Sequence, residues 1–259
     1  MSTGIIPNQI TYQSLVAQRK ICGRCLPFTN PKTNEVTRLV NPAKVSGGKY
    51  DSDEIGPWTL WQGSLTAQIM VIGKDFGPVW YFDQNKGKDN PNNPTNRTVI
   101  HDIRSLGISI EHPDKKIQND LLFFTNSVLC LPEKIVRGQT NQQNQSGMSY
   151  IVCDHWVKTC SEEFLRHLIG LVRPKAIITL GKEAFKAVAY AYKCHRSWGI
   201  EPGKDFVLAG VVDAMPYQAP DGTLVLPAFH PSNRGRNRTP AKNTKDWRTI
   251  KQSLDGILN

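Results

Sequence analysis

The sequence predicts an α/β protein whose core is a four-stranded parallel sheet with helical crossovers. Four short apolar runs lie along the chain, and apolar residues at helical spacing separate several of them. Polar or glycine-containing segments interrupt or follow these runs. Parallel strands need crossover connections, so strands that alternate with helices favour a parallel sheet. We expect functional side chains at its carboxyl edge, because α/β proteins bind ligands there.

The composition indicates one globular domain. The chain has 259 residues, 39% of them hydrophobic, which is enough for one sizeable core. No apolar run approaches the roughly 20 residues of a membrane span, and the N-terminus lacks a signal-peptide pattern. We expect a single domain over residues 1–259, with an N-terminal segment at 1–63 and the α/β core at 64–259. We also expect the protein to be cytoplasmic and monomeric.

The first strand, at residues 69–72, ends in Gly73-Lys74-Asp75-Phe76-Gly77. An acid at the end of a buried strand makes Asp75 the first catalytic candidate. The alternative is a turn in which Asp75 caps the next segment and Gly77 supplies a positive φ. A polar loop follows at residues 83–94, and residues 98–106 have the spacing of the first crossover helix.

The later strands bring two more polar groups to the same edge. The second strand, at residues 121–130, is interrupted by Asn126, whose amide offers a donor and an acceptor for a base edge. A strand-end Asn that bonds its own backbone is the alternative. A helix at residues 160–171 precedes the third strand at 175–180, and the last strand, at 223–229, ends in His230-Pro231-Ser232. Asp75, Asn126 and His230 therefore share one predicted edge.

The excess positive charge is clustered near the C-terminus. Lys and Arg number 32 against 22 Asp and Glu, for a formal charge of +10. After His230, a single acid, Asp246, stands among seven basic residues: Arg234, Arg236, Arg238, Lys242, Lys245, Arg248 and Lys251. A solvated basic tail is the alternative, but a basic loop beside a crevice favours DNA as the partner. The predicted phosphate-binding residues are Ser232, Asn233, Arg234, Arg236 and Arg238.

Six cysteines in a reducing compartment favour metal ligands or buried thiols over disulfides. Cys22-Gly23-Arg24-Cys25 is a C-x-x-C bracket, which alone fits half a zinc site, a redox pair or half an iron–sulfur site. Its further ligands would come from the four remaining cysteines: Cys130, Cys153, Cys160 and Cys194.

Four motifs together resemble the uracil-DNA glycosylase superfamily. They are Gly73-Lys74-Asp75-Phe76-Gly77, Thr125-Asn126-Ser127-Val128-Leu129-Cys130, the Arg-Pro strand at residues 173–181, and His230-Pro231-Ser232. The resemblance covers roughly residues 21–258 and is closest to the thermophile-type, family 4-like branch that carries iron–sulfur. It implies a three-layer αβα fold and a structural 4Fe–4S cluster held by Cys22, Cys25, Cys130 and Cys160.

The resemblance also implies hydrolysis of the bond between a base and deoxyribose. Asp75 would stabilise the cationic sugar and position water, His230 would donate a hydrogen bond to the base, and Asn126 would read the base edge. The expected base pocket comprises Gly73, Phe76, Gly77 and Tyr81. The chain departs from the iron–sulfur branch in having Lys74 at its acid position, with Asp75 one residue later.

Two substrates stay open. The resemblance favours uracil and hence DNA repair. Gly77, however, stands where prototype members carry a Tyr that blocks C5 substituents, so a hypermodified phage pyrimidine, and with it antiviral defence, is the alternative. A non-catalytic iron–sulfur DNA-binding module is a third reading. A phosphate-cleaving nucleotide hydrolase is disfavoured, because the sequence has no G-x-x-x-x-G-K-[ST] motif.

Overall fold

The computed structural model describes residues 10–56, 61–113, 115, 120–135, 152–232 and 238–258. Eight α-helices lie in this part of the chain: α1 (Tyr12–Ile21), α2 (Val79–Gln84), α3 (Pro94–Ser105), α4 (Asp154–Cys160), α5 (Arg166–Val172), α6 (Lys182–Ala191), α7 (Leu208–Asp213) and α8 (Pro240–Leu258). A 3₁₀ segment spans Pro42–Gly48. None of the described helices combines the length and apolar character that crossing a membrane requires.

Eight strands form two sheets. The strands are β1 (Phe28–Thr29), β2 (Val36–Val40), β3 (Ile69–Gly73), β4 (Leu122–Asn126), β5 (Leu131–Ile135), β6 (Ala176–Leu180), β7 (Tyr217–Gln218) and β8 (Leu224–Ala228), all within the described residues. The main sheet has the order β4-β3-β6-β8-β7, and β1, β2 and β5 form a small antiparallel sheet.

The four predicted strands are confirmed as the parallel part of the main sheet. The sheet gains a fifth, antiparallel edge strand, because β7 pairs with β8. With only two residues, β7 is too short to show a period in the sequence. The predicted strand at 121–130 is also shorter than expected: β4 ends at Asn126, and after four residues the chain enters β5 of the small sheet.

Every residue of the apolar run in β3 is buried, because this strand lies between β4 and β6 in the main sheet. Met70 and Ile72 belong to the core on one face of the sheet, and Ile69 and Val71 belong to the core on the other. Helices α4, α5 and α6 contribute to the first core, and α3 and α8 contribute to the second. Helices cover both faces, so the predicted three-layer αβα fold is confirmed.

The crossover helices differ from their predicted bounds in ways that local chemistry explains. Helix α3 begins at Pro94 because Asn93 caps it, accepting a hydrogen bond from the backbone N–H of Thr95 at 2.9 Å. The helix predicted at 160–171 begins earlier, at Asp154, and runs through a π-helical turn, Ser161–Leu165, into α5. The predicted helix already contains the π turn, and the part that the sequence pattern missed is α4, the stretch before it.

Candidate active site

The ends of β3 and β4 meet at one point of the carboxyl edge. In the parallel register, Gly73 is the partner of Asn126. The amide oxygen of Asn126 occupies the space that a Cβ at residue 73 would take. Gly73 therefore allows the Asn126 side chain to lie directly over the strand end. Gly73, a predicted base-pocket residue, thus contributes by leaving space for the Asn126 amide.

Asp75 sits in a tight turn beyond β3. One carboxylate oxygen, Oδ1, accepts a hydrogen bond from the backbone N–H of Gly77 at 2.8 Å, and Gly77 has φ +84°. The turn geometry considered as an alternative for this sequence is therefore present. The other oxygen, Oδ2, lies 3.6 Å from the Lys74 ammonium, and the Asp75 side chain is only 12% exposed. The carboxylate is thus oriented by the backbone and largely removed from water.

The backbone of this turn is fastened to the segment after β4. The N–H of Ser127 donates to the Gly73 carbonyl at 2.9 Å, and the N–H of Val128 donates to the Lys74 carbonyl at 3.1 Å. The Ser127 hydroxyl also donates to the Lys74 carbonyl, at 2.6 Å. These three bonds hold the acid-bearing turn and the Asn-bearing strand as one unit.

His230 follows β8 and Phe229 at the same edge. Its Nδ1 accepts a hydrogen bond from the backbone N–H of Ser232 at 3.2 Å, so the neutral ring carries its proton on Nε2. Burial lowers the pKa of His230; the Lys74 ammonium lowers it further, while Asp75 and Glu183 oppose the shift. The imidazole is therefore neutral at pH 7 and can act as a hydrogen-bond donor through Nε2.

The structure brings the three predicted edge residues to one place. Two charged groups that were not predicted as site residues join them: the Lys74 side chain, and Glu183 in the first turn of α6. Glu183 follows β6 by three residues, so the rule that placed Asp75 at a strand end also pointed to it. Gly181, with φ +96°, lets α6 start beside His230, since a Cβ there would lie 3.2 Å from His230 Cβ.

The predicted base-pocket aromatics take different positions. Phe76 is buried in the first core, on the face of the sheet that α4, α5 and α6 cover. Its ring lies so close to Gly56 that a Cβ on Gly56 would overlap it. Tyr81 lies beside Gly77, where a Cβ would be 3.6 Å from its ring. The Tyr81 hydroxyl donates to Asp89 at 2.8 Å and accepts from the Asn90 N–H at 3.1 Å. Burial, reinforced by Asp89, raises the pKa of Tyr81 to about 12.

The predicted phosphate-binding loop is described only at its two ends. Asn233, Arg234 and Arg236 lie outside the described residues. Ser232 lies beside His230, as the hydrogen bond to Nδ1 shows. The described part of α8 carries four exposed basic side chains: Lys242, Lys245, Arg248 and Lys251.

The structure corrects the prediction for Arg238. Its guanidinium is buried and makes two 2.9 Å bonds to Asp246, a further bond to Asp213, and a contact 5.2 Å from the Phe229 ring centroid. A group held by two carboxylates is not available to a phosphate. Charge counting along the sequence missed this, because one of the two carboxylates, Asp213, lies 25 residues away in α7.

Four thiols line one cavity of about 380 Å³ between the N-terminal segment and the helix that begins at Asp154. They are the four predicted ligands: Cys22, Cys25, Cys130 and Cys160. Burial, with neighbouring thiols adding to it, raises the pKa of Cys25 and of Cys130 to about 12. In the part of the chain that the structure describes, no three His, Cys, Asp or Glu side chains are already arranged to hold a metal ion. The thiols thus share a cavity without closing on a common centre.

The donor set nevertheless fits an iron–sulfur cluster. Four sulfur ligands are typical of such clusters, and the cavity far exceeds the roughly 30 Å³ share of one water. No acidic residue is among the described residues that line the cavity. Four basic side chains do line it: Arg19, Arg24, Arg38 and Lys44. Arg19, Arg24 and Arg38 each pair with a carboxylate, so the sulfur donor set, rather than the charge around the cavity, carries the fit.

Two comparisons with known proteins bear on this site. The family model of the uracil DNA glycosylase superfamily matches residues 61–254, about three quarters of the chain. The chain belongs to this superfamily. The chain is also 22% identical over 182 residues to a protein named type-5 uracil-DNA glycosylase from Pyrobaculum aerophilum, a match that covers 68% of this chain and 69% of the relative.

Membership of the uracil DNA glycosylase superfamily confirms the resemblance seen in the sequence motifs. The matched relative carries the type-5 name, whereas the motifs indicated the iron–sulfur, family 4-like branch. The branch within the superfamily stays a prediction. The match includes all three edge residues, Asp75, Asn126 and His230, and begins after the C-x-x-C bracket.

The contact between residues 73 and 126 gives the first testable prediction. Gly73→Ala should displace the Asn126 amide and slow base release in single-turnover assays by about 10²-fold, because a misplacement near 1 Å can have that effect. Gly170→Ala in α5 is the matched control, since a Cβ there meets none of the residues that the structure describes within 4 Å. If both variants release base at the wild-type rate, the amide does not need its observed position.

Proposed function

We propose that this chain is a DNA glycosylase that hydrolyses the N-glycosidic bond of a flipped-out base and leaves an abasic site. The observation that carries the proposal is the pairing of a largely buried, oriented carboxylate, Asp75, with a neutral His230 at one sheet edge. Superfamily membership supports the same reaction class.

Asp75 acts on the sugar. As the C1′–N bond breaks, positive charge develops on the deoxyribose, and a fixed carboxylate stabilises it more strongly than mobile water does. The Gly77 N–H holds Oδ1 in place, so the carboxylate does not reorganise during the reaction. The same group positions the water that adds to C1′.

His230 and Asn126 act on the base. The electron pair of the broken bond moves onto the base, and the Nε2–H of a neutral His230 donates a hydrogen bond to the oxygen that gains charge. The Ser232 N–H keeps the ring in this tautomer. Asn126 supplies a donor and an acceptor to the base edge, from a position set by the absence of a Cβ at Gly73.

Uracil is the first substrate that we propose, because the matched relative carries that name. A C5-substituted pyrimidine is the second, and one observation favours it: among the described residues, a Cβ at Gly77 would meet only the Tyr81 ring within 4 Å. Gly77 has φ +84°, so a Gly77→Tyr substitution would strain the backbone and would not report on pocket size alone. The choice of substrate decides between a repair role and a defence role.

DNA is the proposed partner, and extruding the target base costs a few kcal/mol. The exposed basic face of α8, formed by Lys242, Lys245, Arg248 and Lys251, can offset part of this through phosphate contacts. Arg234 and Arg236 stay in the proposed DNA-binding set, whereas Arg238 leaves it because of its carboxylate partners.

We also propose that Cys22, Cys25, Cys130 and Cys160 hold a 4Fe–4S cluster. The cluster would stabilise the fold and supply no redox step to base release. It would join the N-terminal segment to Cys130 and to the end of α4. Cys130 lies only four residues beyond Asn126, so the same segment serves both sites. Cys153 influences Cys25, but it does not line the cavity.

Asp75→Asn tests the proposed reaction. The substitution keeps the shape but removes the charge, so single-turnover release should slow by about 10²–10³-fold while DNA binding, measured by fluorescence anisotropy, is retained. The substrates are oligonucleotides that carry uracil or a C5-hydroxymethylated or C5-glucosylated pyrimidine. Asp53→Asn, at a side chain that is 98% exposed, is the control. Near-normal release by Asp75→Asn would refute the catalytic assignment.

The lowered pKa of His230 predicts a pH effect on stability. The folded state binds a proton at His230 less readily than the unfolded chain, whose His pKa is about 6.5. The His230 contribution to folding is therefore complete above pH 6.5 and is lost as the pH falls through the folded-state pKa. Urea unfolding between pH 7 and 5 should show a larger loss of stability for wild type than for His230→Gln. Exposed His155→Gln should follow wild type, and identical losses in all three proteins would contradict the prediction.

Iron analysis tests the cluster. Protein purified without oxygen should be brown and contain about four iron and four labile sulfide per chain. Cys160→Ala should lose this iron, because Cys160 lines the cavity, and Cys194→Ala should keep it, because Cys194 does not. Stoichiometric zinc without iron in the wild type would exclude the cluster while leaving the glycosylase proposal intact.

A further inference from the structure

Lys74 is a charged group that the proposed reaction does not yet use. Its side chain is 18% exposed, and its ammonium lies 3.6 Å from Oδ2 of Asp75. Its carbonyl accepts hydrogen bonds from the Val128 N–H and the Ser127 hydroxyl. Both the backbone and the side chain of Lys74 are therefore positioned within the active site rather than in solvent.

The Lys74 ammonium also acts on His230. After burial, Lys74 is the group that lowers the pKa of this imidazole, and Asp75 and Glu183 raise it. The charge of Lys74 is thus felt at the group that faces the departing base, as well as at the carboxylate that faces the sugar. The three side chains form one electrostatic unit at the edge of β3 and β8.

A cation beside Asp75 poses a physical problem for a glycosylase. The carboxylate has to stabilise a sugar cation, and a neighbouring ammonium weakens the negative potential that it offers. The arrangement becomes favourable if the two charges act on opposite ends of the breaking bond. An ammonium on the base side and a carboxylate on the sugar side form a dipole antiparallel to the one that develops as the bond breaks. The two dipoles attract each other, so the transition state is stabilised.

We propose that Lys74 is a third catalytic group, which stabilises the anion of the departing base while Asp75 stabilises the sugar. This inference rests on the proposed glycosylase function. The C1′–N bond breaks and its electron pair stays with the base. Water adds its oxygen to C1′ and gives one proton to Asp75, which returns it to solvent. The base anion takes a proton from solvent, and Lys74 keeps its own.

The test compares two leaving groups. Single-turnover release is measured from DNA that carries deoxyuridine or 5-fluorodeoxyuridine, whose base forms the more stable anion because fluorine withdraws electrons. Lys74→Met should slow uracil release by about 10²-fold, the usual effect of removing one such donor. The same substitution should slow 5-fluorouracil release by only about tenfold. Lys74→Arg should restore most of the rate on both, because it restores the charge.

Lys182→Met is the matched control. Lys182 also follows a strand at this edge, and its ammonium pairs with Asp205 at 2.5 Å. Its loss should not change the ratio of the two rates. An equal deficit on both bases, or none, for Lys74→Met would overturn the assignment. Borohydride trapping of Lys74 on the abasic sugar would overturn it too, because a Schiff base needs the neutral amine.

The outcome also separates this inference from the proposed function. If the wild type releases neither base, the uracil assignment fails. Lys74→Met is then compared with wild type on the C5-hydroxymethylated and C5-glucosylated substrates, where an unchanged rate would overturn the role of Lys74. If the wild type releases base and Lys74→Met has equal deficits on the two substrates, only the role of Lys74 fails. A merely structural role would lower both rates together, since it has no dependence on the leaving group.

Discussion

The site depends on one steric constraint, the absence of a side chain at Gly73. The parallel register places residue 73 level with Asn126, and the Asn126 amide oxygen fills the space where a Cβ would stand. Once the two strand ends are this close, the Ser127 and Val128 N–H groups reach the carbonyls of Gly73 and Lys74. The turn that carries Asp75 is therefore hydrogen-bonded to the segment that follows β4.

The other side of the crevice is held by a buried ion pair. Arg238 bonds Asp246 in α8 and Asp213 in α7 and lies against Phe229, the residue before His230. Removing one member of a buried pair generally costs about 3–5 kcal/mol, because the other charge is left uncompensated. The segment after His230 thus starts at the His230 ring and ends at Arg238, which is held by its carboxylate partners.

Much of this arrangement followed from the sequence because it depends on local pattern. Apolar runs located the four parallel strands, and the rule for strand ends located Asp75, Asn126 and His230. What local pattern could not contain was pairing at a distance. The bond of Arg238 to Asp213 and the approach of Glu183 to His230 arise when separate elements pack, whereas the salt bridge of Lys74 joins neighbours and depends on how one turn folds. The small sheet has the same origin, since β2 pairs with β5 across about 90 residues.

The loop after α2 shows what a single hydroxyl can organise. Tyr81 holds Asp89 and the Asn90 backbone, and Asp89 in turn accepts a bond from Asn96 in α3 at 2.7 Å. A polar loop of this composition would otherwise sample many conformations, and a ligand would have to lose that conformational entropy on binding. Here most of that loss occurs during folding. Whatever ligand approaches Gly77 therefore meets the Tyr81 side of the site in a conformation that these hydrogen bonds already fix.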